Sequence, residues 1–348
     1  MTDTIRPSSL AERMATSKLL TAGLIVLPFV LAITALCLGR YMVSPSNAIS
    51  ILLGQILPIE PHWQPVEETV VLNIRLPRIL MALLVGGGLA VSGAAFQGLF
   101  GNPLVSPHIL GVSSGAGFGA ALTILLFHHM AFVPFGALIF GIVAMMVALW
   151  ISRRNGQSSL FMLILGGVIT AALFEALISL LKFFADPNDT LPTIVYWLMG
   201  SFTSASYETL AWGAPLILIG ITVLWALRWR LNVMSLSEIE AKSLGTNVQR
   251  MRWMIILAAT LITATTVSLA GIIGWVGLVI PHIARMLVGS NHSALIPTSI
   301  SIGVMYMLLI DTVARTATSS EIPLSILTAV VGAPFFAYLL KRAKGGWS

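Results

Sequence analysis

RLPRILMALLVGGGLAVSGAAFQGLFGNPLVSPHILGVSSGAG, residues 75–117, carries no formal charge after Arg78. Charge-poor apolar runs of about 20 residues mark helices that cross a membrane. The rest of the chain repeats the pattern: 57% of its residues are hydrophobic, 9% are charged, and its mean hydropathy is +0.94. Soluble domains carry about 25% charged residues, so this chain has too few to coat a water-facing surface. The sequence predicts an all-α polytopic membrane protein, a single transmembrane domain over residues 1–348.

Ten spans are expected, at about 19–39, 70–100, 107–127, 132–152, 160–182, 209–229, 251–270, 274–289, 294–313 and 324–341. An even number puts both termini on one side. The cations fix that side as the cytoplasm. Arg6, Arg13 and Lys18 lie in a short N-terminal segment, 1–18; Arg153 and Arg154, then Arg228 to Arg252, then Lys341 to Lys344 follow on the same side. Glu60, Glu67, Glu68, Asp186, Asp189, Glu208 and Glu321 fall outside. Clusters of this kind are a membrane topology signal and not a nucleic-acid groove. Leu19 to Leu38 is too long for a signal-peptide core, and no small-residue cleavage site follows it. The single Cys, Cys37, allows no intrachain disulfide and no Cys-based metal site.

One stretch breaks the apolar rule. MSLSEIEAKSLGTNVQRMR (234–252) gathers charges between the sixth and seventh spans. Ser237 precedes Glu240 by three residues, a capping-box pattern. Glu238 and Lys242 form an i,i+4 pair in the favourable order. Gly245 is a C-terminal cap. Leu236, Ile239 and Leu244 make a partial apolar stripe with Val248 beyond. The reading is a short amphipathic cytoplasmic helix, about 237–245. It is either a solvated loop or a docking element for a cytoplasmic protein.

Three segments carry a resemblance to a known family: residues 75–117; EIEAKSLG (238–245); and GIIGWVGLVIPHIARMLVG (271–289) with DTVAR (311–315) and EIPLSILTAVVGAPFFAYLL (321–340). Together they resemble the permease subunits of type II ABC importers, which take up iron-siderophore complexes, haem, cobalamin and, in some members, molybdate. The match runs from about residue 70 to 340; Trp275 stands where the family often has Phe. The resemblance implies the ten-helix, BtuC-like fold and a homodimer in the inner membrane. It also implies two cytoplasmic ATPase subunits below, carrying ATP and Mg, and an extracytoplasmic substrate-binding protein above. It assigns Glu238, Ile239, Glu240, Ala241, Lys242, Ser243, Leu244 and Gly245 to the ATPase-coupling helix. No G-x-x-x-x-G-K-[ST] loop is present, so energy is expected from partners; the chain is not itself expected to be an enzyme and needs no cofactor or metal of its own.

Arg75, Arg78 and Arg315 break the charge rule at outer span ends. By resemblance they present cations to acidic residues of a binding protein, a geometry the guanidinium fork suits. The other readings are snorkelling for Arg75 and Arg78 and an i,i+4 pair with Asp311 for Arg315. Asn102, Pro103 and Leu104 break the helix, and by resemblance they close the inner end of the pathway together with the start of span five, near Ser158, Ser159 and Leu160. Glu175 lies mid-span, where an ionisable residue is costly and a functional candidate. It either faces the pathway or pairs with a neighbouring helix.

His108, His128, His129, His282 and His292 form no ligand set in the sequence, and no metal site is expected. Gly111, Gly115 and Gly119 repeat at the spacing of close helix packing. Leu104–Ile109 and Leu278–Ile283 echo one another (LVSPHI and LVIPHI), which leaves an internal repeat open. Two other classes are weighed against the importer. An ion-coupled secondary transporter would rely on Glu175 and Asp311; an intramembrane enzyme would need a motif such as H-E-x-x-H, which is absent.

Overall fold

The computed structural model describes residues 10–154, 157–158, 160–236 and 238–342. Among them the chain forms α1 (Leu10–Cys37), α2 (Pro45–Gly54), α3 (Pro65–Thr69), α4 (Leu76–Phe100), α5 (Val112–Phe127), α6 (Val133–Ser152), α7 (Leu160–Phe184) and α8 (Thr190–Leu198). There follow α9 (Tyr207–Ala226), α10 (Arg228–Met234), α11 (Glu238–Ser243), α12 (Val248–Ala270), α13 (Val276–Val288), α14 (His292–Thr316) and α15 (Leu324–Arg342). A π-helical stretch, Val70–Arg75, joins α3 to α4. Arg153–Arg154 pairs with Gln157–Ser158 as a two-residue antiparallel hairpin. Among the described residues seven apolar helices are long enough to cross a membrane, and three shorter ones, Val112–Phe127, Val276–Val288 and Leu324–Leu339, occupy the remaining expected positions.

Two expected spans start later than their apolar runs. Pro107–Leu110 is a 3-10 turn, and Gly111, at φ +78, ends it before α5 begins. Gly271 (φ +71) and Trp275 (φ +68) hold a non-helical entry into α13. The two echoing hexapeptides therefore differ in structure: Pro107-His108 sits in the turn, Pro281-His282 inside α13. The Pro-rich connection at 40–69 contains α2, which buries Ala48 and Ile51.

Hydropathy does not separate core from lipid face. The apolar windows of α1 and α4 score 2.5 and 2.1, yet 11% of one and 83% of the other is buried inside the subunit. Small residues make the difference. In α4, Gly86 lies against Gly303 of α14, and a side chain on either would overlap the other's carbonyl. Gly115 and Gly119 do the same for α5 against Phe140 and Gly136 of α6, as their spacing predicts.

Prolines inside the apolar helices leave carbonyls without donors, and side chains from other helices fill three of these gaps. Pro28 deprives the Leu24 carbonyl in α1; the Ser301 hydroxyl of α14 donates to it. In the π stretch Leu76 N–H donates to Val71, so the donor for Leu72 falls at Pro77; the Tyr207 hydroxyl of α9 donates to Leu72 at 2.6 Å. Pro281 deprives Gly277 in α13; Gln97 Nε2 of α4 donates to the carbonyls of Gly277 (3.4 Å) and Leu278 (3.3 Å). The Arg285 guanidinium donates in turn to Gln97 Oε1.

An unfilled buried carbonyl costs about 1–3 kcal/mol. Gln97→Leu is therefore expected to lower stability by about that much, measured by unfolding in mixed micelles. In a Pro281→Ala background, which restores the N–H, the loss shrinks by at least half. Equal losses in both backgrounds would refute this role for Gln97.

Candidate functional site

Helix α11 has the geometry its sequence announces. Lys242 Nζ lies 2.9 Å from Glu238 Oε1, and that hydrogen bond holds the Glu238 carboxyl below its ordinary range. Arg252 of α12 reaches the other Glu238 oxygen at 3.7 Å. At the C-terminal end Gly245 takes φ +72; its N–H donates to Lys242 O at 2.9 Å and Thr246 N–H to Ala241 O at 3.2 Å. That pair of bonds is a Schellman cap. The N-terminal cap expected of Ser237 lies outside the described residues. Ala241 is buried against the body, whereas Ile239 and Leu244 are 80% and 64% exposed. Leu236 is exposed too, and only Val248 of the expected stripe turns inward. A short helix capped at its C-terminal end thus offers apolar side chains to water.

Helix α10 connects this element to the transmembrane body. Asn232 Oδ1 accepts from His292 N–H at 2.8 Å and lies 3.0 Å from His292 Nδ1; Asn232 Nδ2 donates to Asn291 Oδ1 at 2.9 Å. The end of α10 is therefore hydrogen-bonded to the beginning of α14. The sequence reading missed Asn232, because a polar residue in a charged loop carries no pattern of its own.

The three outer arginines are not held out to solvent. Arg75, Arg78 and Arg315 are only 5%, 8% and 8% exposed. Arg78 Nε donates to Asp311 Oδ1 at 2.7 Å and its Nη1 to Glu321 Oε1 at 2.9 Å. Arg315 Nε lies 3.6 Å from Asp311 Oδ2, the i,i+4 contact its spacing allows. The rest of the cluster caps α1. Arg75 donates to the carbonyls of Leu36, Cys37 and Tyr41, and Arg315 to those of Ala35 and Leu38. Leu38 N–H fills the Thr34 carbonyl at 3.0 Å. All four terminal carbonyls of α1, which a helix end leaves orphaned, thereby find donors. In the isolated subunit the three guanidiniums turn inward, held by an orphaned helix end and a buried carboxylate, and Arg78 reaches the surface through the partly exposed Glu321.

Gly101 (φ +58) ends α4, and Asn102 Oδ1 accepts from Leu104 N–H at 2.9 Å, folding Asn102–Leu104 into a tight turn with Leu104 exposed. Ser158 lies in the two-residue hairpin and Leu160 opens α7; Ser159 falls outside the described residues. Glu175 is exposed on α7 and accepts from Ser114 Oγ of α5 at 3.2 Å. Among the histidines, His108 lies 2.6 Å from Ser113 Oγ and His282 packs edge-on to Phe336.

A multi-pass helical body with a short helix offering apolar side chains on one face has the layout of a transporter permease. The chain belongs to the FecCD transport family, which it matches over residues 25–342. The molybdate import system permease protein MolB of Haemophilus influenzae is 44% identical over 93% of this chain and 96% of its own length. A Helicobacter pylori protein named as a probable iron chelatin transport system permease is 37% identical, covering 91% of this chain and 96% of that one. A solved structure described as an inward-facing metal-chelate type ABC transporter shares 43% identity at a TM-score of 0.83, over 92% of this chain and 98% of the other. The chain is a permease of the ABC-importer class.

Asp311 has the most to lose among these residues. Removing one partner of a buried ion pair costs about 3–5 kcal/mol, so Asp311→Ala is expected to destabilise the subunit by that order. Arg78→Met combined with Asp311→Leu removes both charges and is expected to cost less than Asp311→Ala alone. Thermal unfolding in detergent reads the comparison; a double variant worse than the single one contradicts it.

Proposed function

We propose that two copies of this chain enclose the translocation pathway for a metal chelate, with iron-siderophore complexes as first choice and haem, cobalamin or molybdate as the other cargoes. A substrate-binding protein delivers the cargo on the extracytoplasmic side. Two ATPase subunits, holding ATP and Mg, grip α11 on the cytoplasmic side, where both termini also lie. The observation that carries this reading is the exposure of Ile239 and Leu244 on a helix capped by its own glycine. Apolar side chains offered to water from a rigid element fit a protein cleft, and the absence of a phosphate-binding loop in the sequence fits a chain driven by a partner.

The Asn102–Leu104 turn and the 158–160 segment form the inner constriction. At the outer face Glu321, with its side chain 27% exposed, occupies Arg78 from the solvent side. A carboxylate of the binding protein exchanges with Glu321 there, so the buried cluster still serves docking through one accessible edge. Asp311, already shared by Arg78 and Arg315, is committed to structure, which disfavours an ion-coupled relay through it.

Two experiments follow. Ile239→Arg with Leu244→Arg is expected to weaken ATPase-subunit association at least about tenfold, since each buried side chain contributes about 1.5–3 kcal/mol; undiminished co-purification with normal uptake would reject the docking role of α11. Glu321→Gln frees Arg78 for a partner and is expected to tighten binding-protein affinity at low salt. Unchanged affinity rejects the exchange.

A further inference from the structure

Helix α7 presents three different faces. Gly167, Thr170, Phe174 and Ile178 are buried against the subunit. Ile169, Leu173 and Leu180 are exposed and purely apolar, as a lipid-facing surface requires. Glu175, Ser179 and Lys182, spaced four and three residues apart, fall along a third edge. Ser179 donates to the Glu175 carbonyl at 2.9 Å, so the group on this edge that lipid alone cannot hold at mid-span is the Glu175 carboxylate, which survives only beside water or protein. Glu175 lies about 22 Å along α7 from its inner end, from a rise of about 1.5 Å per residue. At that depth its Oε1 accepts from Ser114, the third residue of α5. The start of α5 would otherwise favour an anion, since a helix N-terminus carries partial positive charge. The carboxylate of Glu175 already fills that place.

We propose that Glu175 sets the charge selectivity of the pathway, disfavouring oxyanions and favouring metal chelates that are neutral or cationic. The inference rests on the two-copy pathway proposed above. In a symmetric dimer the pathway receives two such carboxylates. Their field is least screened where walls of apolar helix exclude water. The exposed Ala172, next to this edge, leaves room for cargo beside the carboxylate.

The test measures the field directly in the complete importer, reconstituted in vesicles. Ser179→Cys is placed in a Cys37→Ser background, and Ala172→Cys provides a second position. Each is treated with a cationic trimethylammonium-ethyl and an anionic sulfonatoethyl methanethiosulfonate reagent. The cationic reagent is expected to react about tenfold faster relative to its rate with a free thiol, and Glu175→Gln to cut that ratio at least about threefold. A ratio unmoved by Glu175→Gln overturns the inference and leaves the permease reading standing. Cysteines inert to both reagents at both positions overturn the placement of this edge in a water-filled pathway. ATP-driven uptake of molybdate above the empty-vesicle background by the unmodified complex also overturns it. Failure of the ATPase subunits to co-purify would instead strike the permease reading itself.

Discussion

A backbone carbonyl in hydrocarbon has no water to turn to, and the whole subunit is organised by that constraint. Each break in helical hydrogen bonding must be repaired by another part of the protein. Pro28, Pro77 and Pro281 create such breaks, and Ser301, Tyr207 and Gln97 repair them. The repairing side chains come from α14, α9 and α4, so each repair is also a tertiary contact. The end of α1 follows the same logic with stronger donors. Arg75 and Arg315 supply its last carbonyls; Asp311 sits between Arg315 and Arg78, and Glu321 takes the other side of Arg78. A local defect in one helix thereby fixes its position against the next.

Helix α14 inherits a mechanical role from these contacts. Its first residue, His292, is hydrogen-bonded to Asn232 of α10, the helix that leads into α11. Its middle meets α4 backbone to backbone at Gly303 and Gly86. Its outer end carries Asp311 and Arg315. Both α4 and α14 are long, and their glycine contact leaves no side chain between them to yield. On the coupling role proposed for α11, a displacement there would meet packed helices and not a soft loop, which is what rigid-body switching demands.

The sequence made some of this legible. The apolar helices, seven of spanning length and three shorter among the described residues, were visible because about 20 apolar residues are needed to cross a bilayer, and α11 because an i,i+4 pair and Gly245 are local chemistry. Burial was not visible. A membrane helix is apolar all round, so α1 and α4 look alike in hydropathy although one faces lipid and the other is the core. The three repairs were hidden as well, since Ser301, Tyr207 and Gln97 are single polar residues whose meaning depends on a proline far away in sequence. The arginines were noticed as exceptions to the charge rule but assigned outward. Nothing local in residues 75–78 reveals that the end of α1 lies beside them.

The size of α11 limits what its proposed docking could contribute. Fully burying Ile239 and Leu244 yields about 3–6 kcal/mol, at about 1.5–3 kcal/mol each. That is too little to hold a large complex alone, and it need not do so. Its value lies in direction. A short helix fixed by a Schellman cap, tied to Arg252 through Glu238, and seated on buried Ala241 cannot rotate freely under load. Loss of the Gly245 cap would loosen the helix while leaving Ile239 and Leu244 in place, so contact area alone does not determine coupling. On the docking role proposed for α11, stiffness at this junction would decide how much of a partner's movement reaches α14.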